Sequence, residues 1–409
     1  MSTVGVVITG MGATTPLAGD VAGTWQALLD GRSACATIDA DWTEEHQLPV
    51  RIAAALAVEP TAALAYGQTR RMDRCEQVAM VAALQAWTDA GLGDGSVDPR
   101  RTGVVVGSGF GCVQSMLSQH EALKEDLRSV VPQCVPMVMP NGPAAHVGLA
   151  LKARAGVHAP MSACASGAEA LVWGARMIRS GAADVVVAGG AEACITPIIM
   201  AGFIRARSMS TRNDDPQRAS RPFDVERNGF VLGEGAGALV LEREEFAAAR
   251  GARVYGRLAG VAMNNDAYHI TAPDPDNAGQ VQAIAAALRD GGLSRTDVGH
   301  VNAHATSTRI GDVVEAGSIR RAFDDDVLVT APKGGLGHLL GASGAVESIA
   351  TVLSLYHGVV PPTANLTELD PEIGLDVAMM EPRKVSLPAA INESFGFGGH
   401  NVALAFTVA

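Results

Sequence analysis

Residues 168–189 read AEALVWGARMIRSGAADVVVAG. Ala170, Leu171, Trp173, Met177 and Ile178 recur at helical spacing, which predicts a helix over 168–180. The run ADVVVAG that follows, 183–189, is apolar and closed by glycine, the pattern of a strand buried on both faces. Such strands need helices to cover them. The stretch therefore predicts parallel β structure with covering helices.

The pattern recurs on both sides. VGVVITGMG (4–12), TGVVVG (102–107) and AGALVLE (236–242) are further buried-strand runs, and 71–90 is another long helical stretch. After Glu245 the order begins again with RVYGRLAGVAM (253–263), GHVNAH (299–304), DVLVTA (326–331) and PAAINES (388–394). NVALAFTV (401–408) is the last apolar strand. Two α/β halves, 1–250 and 251–409, joined near 245–255, account for the 409 residues.

Composition agrees with a large folded core. The chain is 48% hydrophobic and 18% charged with 46 glycines, which excludes disorder. Aromatics are only 4%, so small aliphatic side chains must fill the interior. The net charge of −12 argues against general nucleic-acid binding and requires a local basic patch for any acidic partner. The six cysteines, Cys35, Cys75, Cys112, Cys134, Cys164 and Cys194, form no C-x-x-C pair, so reduced thiols are expected, with neither a disulfide framework nor a metal site. The first basic residue is Arg32, so no signal peptide is expected at the start. No apolar run reaches the ~18 residues of a membrane span.

Chemistry gathers in a few short stretches. MSACASGAE (161–169) sets Cys164 on a turn of small residues just ahead of the predicted helix. The helix dipole and free N–H groups there should favour thiolate and lower the thiol pKa. NAHATSTRIGD (302–312) puts His304 just beyond a strand, and APKGGLGHLLGASGAVE (331–347) puts Lys333 and His338 in a glycine-rich turn that opens a helix. Imidazoles near a thiol serve as base, acid or hydrogen-bond donor. NESFGFGGHN (392–401) surrounds Phe395 and Phe397 with glycines, a backbone able to expose N–H groups as an oxyanion hole requires. Neither G-x-G piece, near Gly107 or Gly233, completes a dinucleotide fingerprint.

In this order, SACASG, NAHATST, KGGLGH and NESFGFGGHN resemble the elongating β-ketoacyl-acyl carrier protein synthases (synthases I and II), which include the ketosynthase units of polyketide synthases. VVITGMGATTPLA at the start, GGAEA (189–193), STRND (210–214) and SRPFDVERNGFVLGEGAG (220–237) extend the resemblance along nearly the whole chain, which is most similar to actinobacterial variants.

The resemblance implies an α/β thiolase-type fold, two βαβαβαββ halves in a five-layer α-β-α-β-α sandwich, and a cytoplasmic homodimer that uses no cofactor or metal. It implies decarboxylative condensation of an acyl thioester with malonyl-acyl carrier protein, with the acyl carrier protein as partner and no role for nucleic acid or membrane. Cys164 would be the nucleophile, His304 and His338 the stabilisers of the enolate, and Lys333 and Glu347 their support. The backbone N–H groups of Cys164 and Phe397 would form the oxyanion hole. Thr306 and Thr308 would bond the phosphopantetheine arm. Phe110, Phe395, Phe397 and Ala305 would shape the acyl pocket and its gate. Arg70, Arg71, Arg205 and Arg207 would dock the carrier.

Three residues depart from the family pattern: Ala305 where the family has Gly, Gly334 where it has Ser, and Phe110 where it has a smaller aliphatic residue. Phe110 predicts a shortened acyl channel, and Ala305 a crowded malonyl and inhibitor pocket. These raise a second expectation, an inhibitor-resistant copy of a housekeeping synthase. A thiolase would carry a second catalytic cysteine in the last motif, and NESFGFGGH has none; a non-catalytic chain-length factor would lack Cys164.

Overall fold

The computed structural model of the protein describes residues 4–93, 95–323, 327–386 and 388–409. The main strands of the first half are β1 (Val6–Thr14), β2 (Thr102–Gly107), β3 (Gly156–His158), β4 (Val185–Glu192) and β5 (Gly235–Arg243). Those of the second are β6 (Gly256–Asn265), β7 (Val298–Asn302), β8 (Leu328–Thr330), β9 (Asp376–Val377), β10 (Ala389–Gly396) and β11 (His400–Thr407). The helices that position the site are α1 (Arg74–Asp89), α2 (Ser166–Arg179), α3 (Pro197–Arg205), α4 (Ala278–Asp290), α5 (Arg309–Ala322) and α6 (Ser343–His357).

These strands hydrogen-bond in the order β3-β2-β4-β5-β1-β6-β11-β10-β7-β8-β9. Counted from its own first strand, each half runs third, second, fourth, fifth, first, and β9 is added at the far edge. The fifth strand is antiparallel to its neighbours in both halves, while the second, third and fourth are parallel. The halves meet where Val7 pairs with Arg257 and Ile8 with Gly256 across β1 and β6.

Side-chain alternation turns this order into five layers. Along β4, Val185 and Val187 face α1, whereas Val186 and Ala188 face α2. Along β11, Val402, Leu404 and Phe406 point to the α2 and α6 side, and Ala403 and Ala405 to the α4 and α5 side. The layers are therefore α1, first-half strands, α2 with α6, second-half strands, and α4 with α5. The middle helices are covered on both sides, which is why α6 is buried from Ser343 to Leu355. It also explains why Ala and Val dominate the sequence there. This is the expected five-layer thiolase-type sandwich.

Element ends differ modestly from expectation. The helix predicted over 71–90 begins at Arg74, because Asp73 caps it and Glu76 reaches back to the Asp73 N–H. The strand predicted over 326–331 is Leu328–Thr330, and its first expected residue, Asp326, lies outside the described residues. Strand β3 has only three residues and left no legible pattern.

Candidate active site

Cys164 sits on a helical turn, Ala163–Ala165, directly ahead of α2. Ala163 adopts φ 51°, a left-handed conformation that costs an alanine energy and is held here by its surroundings. The turn is pinned by Ser166, whose Oγ accepts the Ser162 N–H at 2.9 Å. The loop after β10 closes over it: a β-carbon on Gly396 would lie 2.4 Å from Ser162 O and 3.3 Å from Cys164 N, so only glycine fits.

The two halves bring the chemistry together. His338 Nε2 lies 3.1 Å from Cys164 Sγ, and its Nδ1 lies 3.1 Å from Ser343 Oγ. His304 stands edge-on to His338, ring centroids 5.4 Å apart. Its Nδ1 lies 3.3 Å from Lys333 Nζ, and Lys333 pairs with Glu347 Oε1 at 2.5 Å. An ammonium donates and has no lone pair, so Lys333 fixes the His304 proton on Nε2. The backbone around His304 is held by Glu315, which accepts the N–H groups of His304 and Ala305 at 2.6 Å each.

Burial sets the protonation states. It drives both histidines well below the usual imidazole range, and the Lys333 charge adds to this, so both rings are neutral at neutral pH. The thiol corrects the sequence expectation. Burial pushes the Cys164 pKa up to about 12, and Glu192 adds to the rise. Lys333 and the backbone N–H groups of Phe397 and Cys164 pull it down without overcoming burial. A thiol on a helix amino terminus is not a resting thiolate when it is dry.

A cavity of about 410 Å³ opens over these groups. Cys164, His304, His338, Phe395 and Phe397 line it, Thr306 and Thr308 lie along its wall, and Arg207 is at the wall too. The two threonine hydroxyls are 3.1 Å apart. Lys333 and Glu347 are buried behind the histidines, off the cavity. Phe110 does not line it. Its ring stands edge-on to Phe203, centroids 6.0 Å apart, and Phe203 does line the wall. Ala305 is buried, belongs to the second-half core and does not line the cavity, although His304 and Thr306 on either side of it do. Arg70, Arg71, Arg205 and Arg207 are exposed and have no carboxylate partner among the described residues. Arg70 lies over the Tyr66 ring.

Sequence reasoning missed Glu315, Ser343, Phe203 and Phe230. Phe230 packs its ring at 90° against His338, centroids 5.4 Å apart. Ser343 and Phe230 lie in stretches singled out as motifs, and Glu315 and Phe203 in ordinary helical ones, but in each case the contact that matters comes from long-range folding. Among the described residues no group of three His, Cys, Asp or Glu side chains is arranged to hold a metal ion, and no helix is long and apolar enough to cross a membrane.

Comparison with known proteins agrees along the chain. Residues 4–247 match the family model described as Beta-ketoacyl synthase, N-terminal domain, and residues 255–367 the one described as Beta-ketoacyl synthase, C-terminal domain. The chain is 46% identical over 404 residues to the 3-oxoacyl-[acyl-carrier-protein] synthase 2 of Mycobacterium tuberculosis (strain ATCC 25618 / H37Rv), covering 98% of this chain and 96% of the relative. It is 44% identical to the protein of the same name from Vibrio harveyi, covering 98% of each. Among solved structures, a beta-ketoacyl synthase from Burkholderia phymatum STM815 superimposes with a TM-score of 0.92 at 36% identity, covering 99% of this chain and 100% of that one. A ketosynthase solved in complex with its type II PKS acyl-carrier protein and bound to the hexaketide gives a TM-score of 0.93 at 28% identity, with full coverage of both. The sheet order, the paired thiol and histidines, and the match of both halves lead to one conclusion: the chain belongs to the β-ketoacyl synthase family.

Proposed function

We propose that this protein condenses an acyl thioester with malonyl-acyl carrier protein, releasing CO₂ and giving the β-ketoacyl-carrier product of fatty-acid or polyketide elongation. The observation that carries this is Cys164 Sγ facing His338 Nε2 at 3.1 Å, with the His304 ring beside it in one cavity. Because the thiol rests protonated, its proton passes to the His338 Nε2 lone pair as sulfur attacks the acyl thioester. That proton then goes to the departing pantetheine thiolate. The N–H groups of Cys164 and Phe397 receive the oxyanion.

The malonyl thioester binds next. Its C–CO₂ bond breaks, and the electron pair moves into the thioester as an enolate. His304, its proton fixed on Nε2 by Lys333, donates to the enolate oxygen. The carbanion attacks the acyl-Cys164 thioester, and the Cys164 thiolate leaves and takes up one proton from solvent by way of His338, the proton that the overall condensation consumes. Ser343 is a hydroxyl that accepts from or donates to His338 Nδ1, so His338 serves as base in the first half and as donor in the second.

The test is direct. Given acyl- and malonyl-loaded carrier protein, the protein should self-acylate on one cysteine and then release CO₂ together with a β-ketoacyl-carrier species. Self-acylation without either product overturns the condensing reading. No observation favours the resistance role.

Several further assignments belong to this reading. The chain comprises the halves 1–250, with the nucleophile, and 251–409, with the histidines, and it works in the cytoplasm. The open edge of β3 and the exposed apolar side chains Leu127, Val135, Leu149 and Val157 support pairing with a second copy. The acidic carrier docks on Arg70, Arg71, Arg205 and Arg207, which stand out on a protein of net charge −12. Arg207→Glu should raise the apparent KM for carrier-bound substrates, more so at low salt, and spare a short pantetheine mimic. Equal damage to both substrates would remove Arg207 from docking.

A further inference from the structure

Glu192 ends β4 and takes no direct part in the proposed steps, though its charge adds to the rise of the Cys164 thiol. It is fully buried, and its carboxylate has no cationic partner among the described residues. Four donors converge on it instead. Oε2 accepts the Gly109 N–H at 2.7 Å and the Gly341 N–H at 3.1 Å. Oε1 accepts the Ser108 hydroxyl at 3.1 Å and the Phe110 N–H at 3.2 Å.

Three of these donors belong to the loop that carries Phe110. The fourth belongs to the turn after His338, next to Leu340, which lines the cavity. The approach is close by design of sequence: a β-carbon on Gly341 would lie 2.4 Å from Gly109 N and 2.9 Å from Glu192 Oε2. One carboxylate thus fastens two separate pieces of chain that bear on the cavity wall. Phe110 gets there through its edge contact with Phe203, Leu340 directly. Burial raises the Glu192 carboxyl to about 7 even though the converging donors favour its charged form. An amide in its place would turn an NH₂ group toward N–H donors and lose at least one of the bonds.

We propose that Glu192 is a positioning residue that sets the depth of the acyl channel, by fastening the Phe110 loop to the turn that follows His338. This rests on the condensing-enzyme reading.

The test reads self-acylation of Cys164 by mass for a series of acyl donors of increasing length, separately from condensation. Glu192→Gln should change the long-to-short ratio of acylation rates by about tenfold, as loss of one charge-assisted hydrogen bond implies. In a Phe110→Ala background the same substitution should change that ratio by less than about twofold, because the ring it positions is gone. A variant that slows all donors by one common factor, or shifts the ratio equally in both backgrounds, overturns the proposal. If Glu192→Gln does not fold, Gly109→Ala leaves the carboxylate intact and sets a methyl 2.7 Å from Oε2. It should shift the ratio too, and an unchanged ratio overturns the proposal. A protein that self-acylates with the expected length dependence but never condenses sinks the condensing reading and leaves the assignment of Glu192 supported.

Discussion

Cys164→Ala should abolish the mass shift with an acyl-carrier donor and reduce condensation by about 10⁴-fold or more, the scale on which removal of a covalent nucleophile acts. Its neighbours explain why no other group can substitute. His338 Nε2 is aimed at this sulfur, and the N–H groups of Cys164 and Phe397 converge on the same point. The remaining cysteines are free, and among the described residues none has an imidazole placed against its sulfur as Cys164 has. Decarboxylation of a malonyl donor should survive in the variant, because His304 and His338 remain neutral donors. Persistence of the mass shift on another residue would refute the assignment.

Lys333→Met should have the second largest effect, on both activity and stability. Lys333 and Glu347 Oε1 form a buried pair at 2.5 Å, and Glu347 Oε2 has no hydrogen-bond partner among the described residues. Removing one member of such a pair costs about 3–5 kcal/mol, because the other charge is left buried and uncompensated. Condensation should fall by about 10²–10³-fold as His304 loses the donor that fixes its proton. The stability loss should depend on pH in a definite direction. Burial already raises the Glu347 carboxyl, and Lys333 opposes the rise. Without Lys333 the folded-state pKa moves further above the unfolded value. A carboxyl raised in the fold costs stability as pH climbs from its unfolded pKa through its folded pKa, and costs nothing below the unfolded value. Denaturant midpoints taken from pH 5 to 8 should therefore show the deficit growing with pH. A deficit that grew on acidification would mean that Glu347 is not the stranded charge.

The fold was legible in sequence because its strands are buried on both faces. Continuous runs such as VVVAG and VALAF cannot be placed anywhere else, and repetition of their order after Glu245 announced the second half. Short β3 and the helix starts were less legible, since three residues carry no period and a cap such as Asp73 acts over one turn only. The residues proposed to carry the chemistry stood out as motifs, and Cys164, His304, His338 and Lys333 do converge. Their backbone supports did not stand out. Glu315 holds backbone N–H groups 10 and 11 residues before it, and Glu192 holds a loop 83 residues away; the motif GGAEA marked the stretch around Glu192 but not what its carboxylate holds. Ala305 and Phe110 were placed by analogy, and local packing turned the first into core and set the second behind Phe203. The thiol pKa was misjudged for a physical reason: the helix terminus was visible in the sequence, and the dryness of the site was not.

The place of β11 has a consequence for how the protein is made. This strand lies between β10 and β6, near the centre of the sheet, yet it is built from residues 400–407. A ribosome that has finished the first half has made α2 and one wall of its surroundings, but not the opposite wall or α6. Domains usually fold as they emerge. Here the face of α2 that packs on β6, α6 and β11 is covered only as the second half leaves the exit tunnel, β11 last. The nascent chain must wait through most of its own synthesis with an apolar face open to water, which makes it a natural client for chaperones that shield such surfaces.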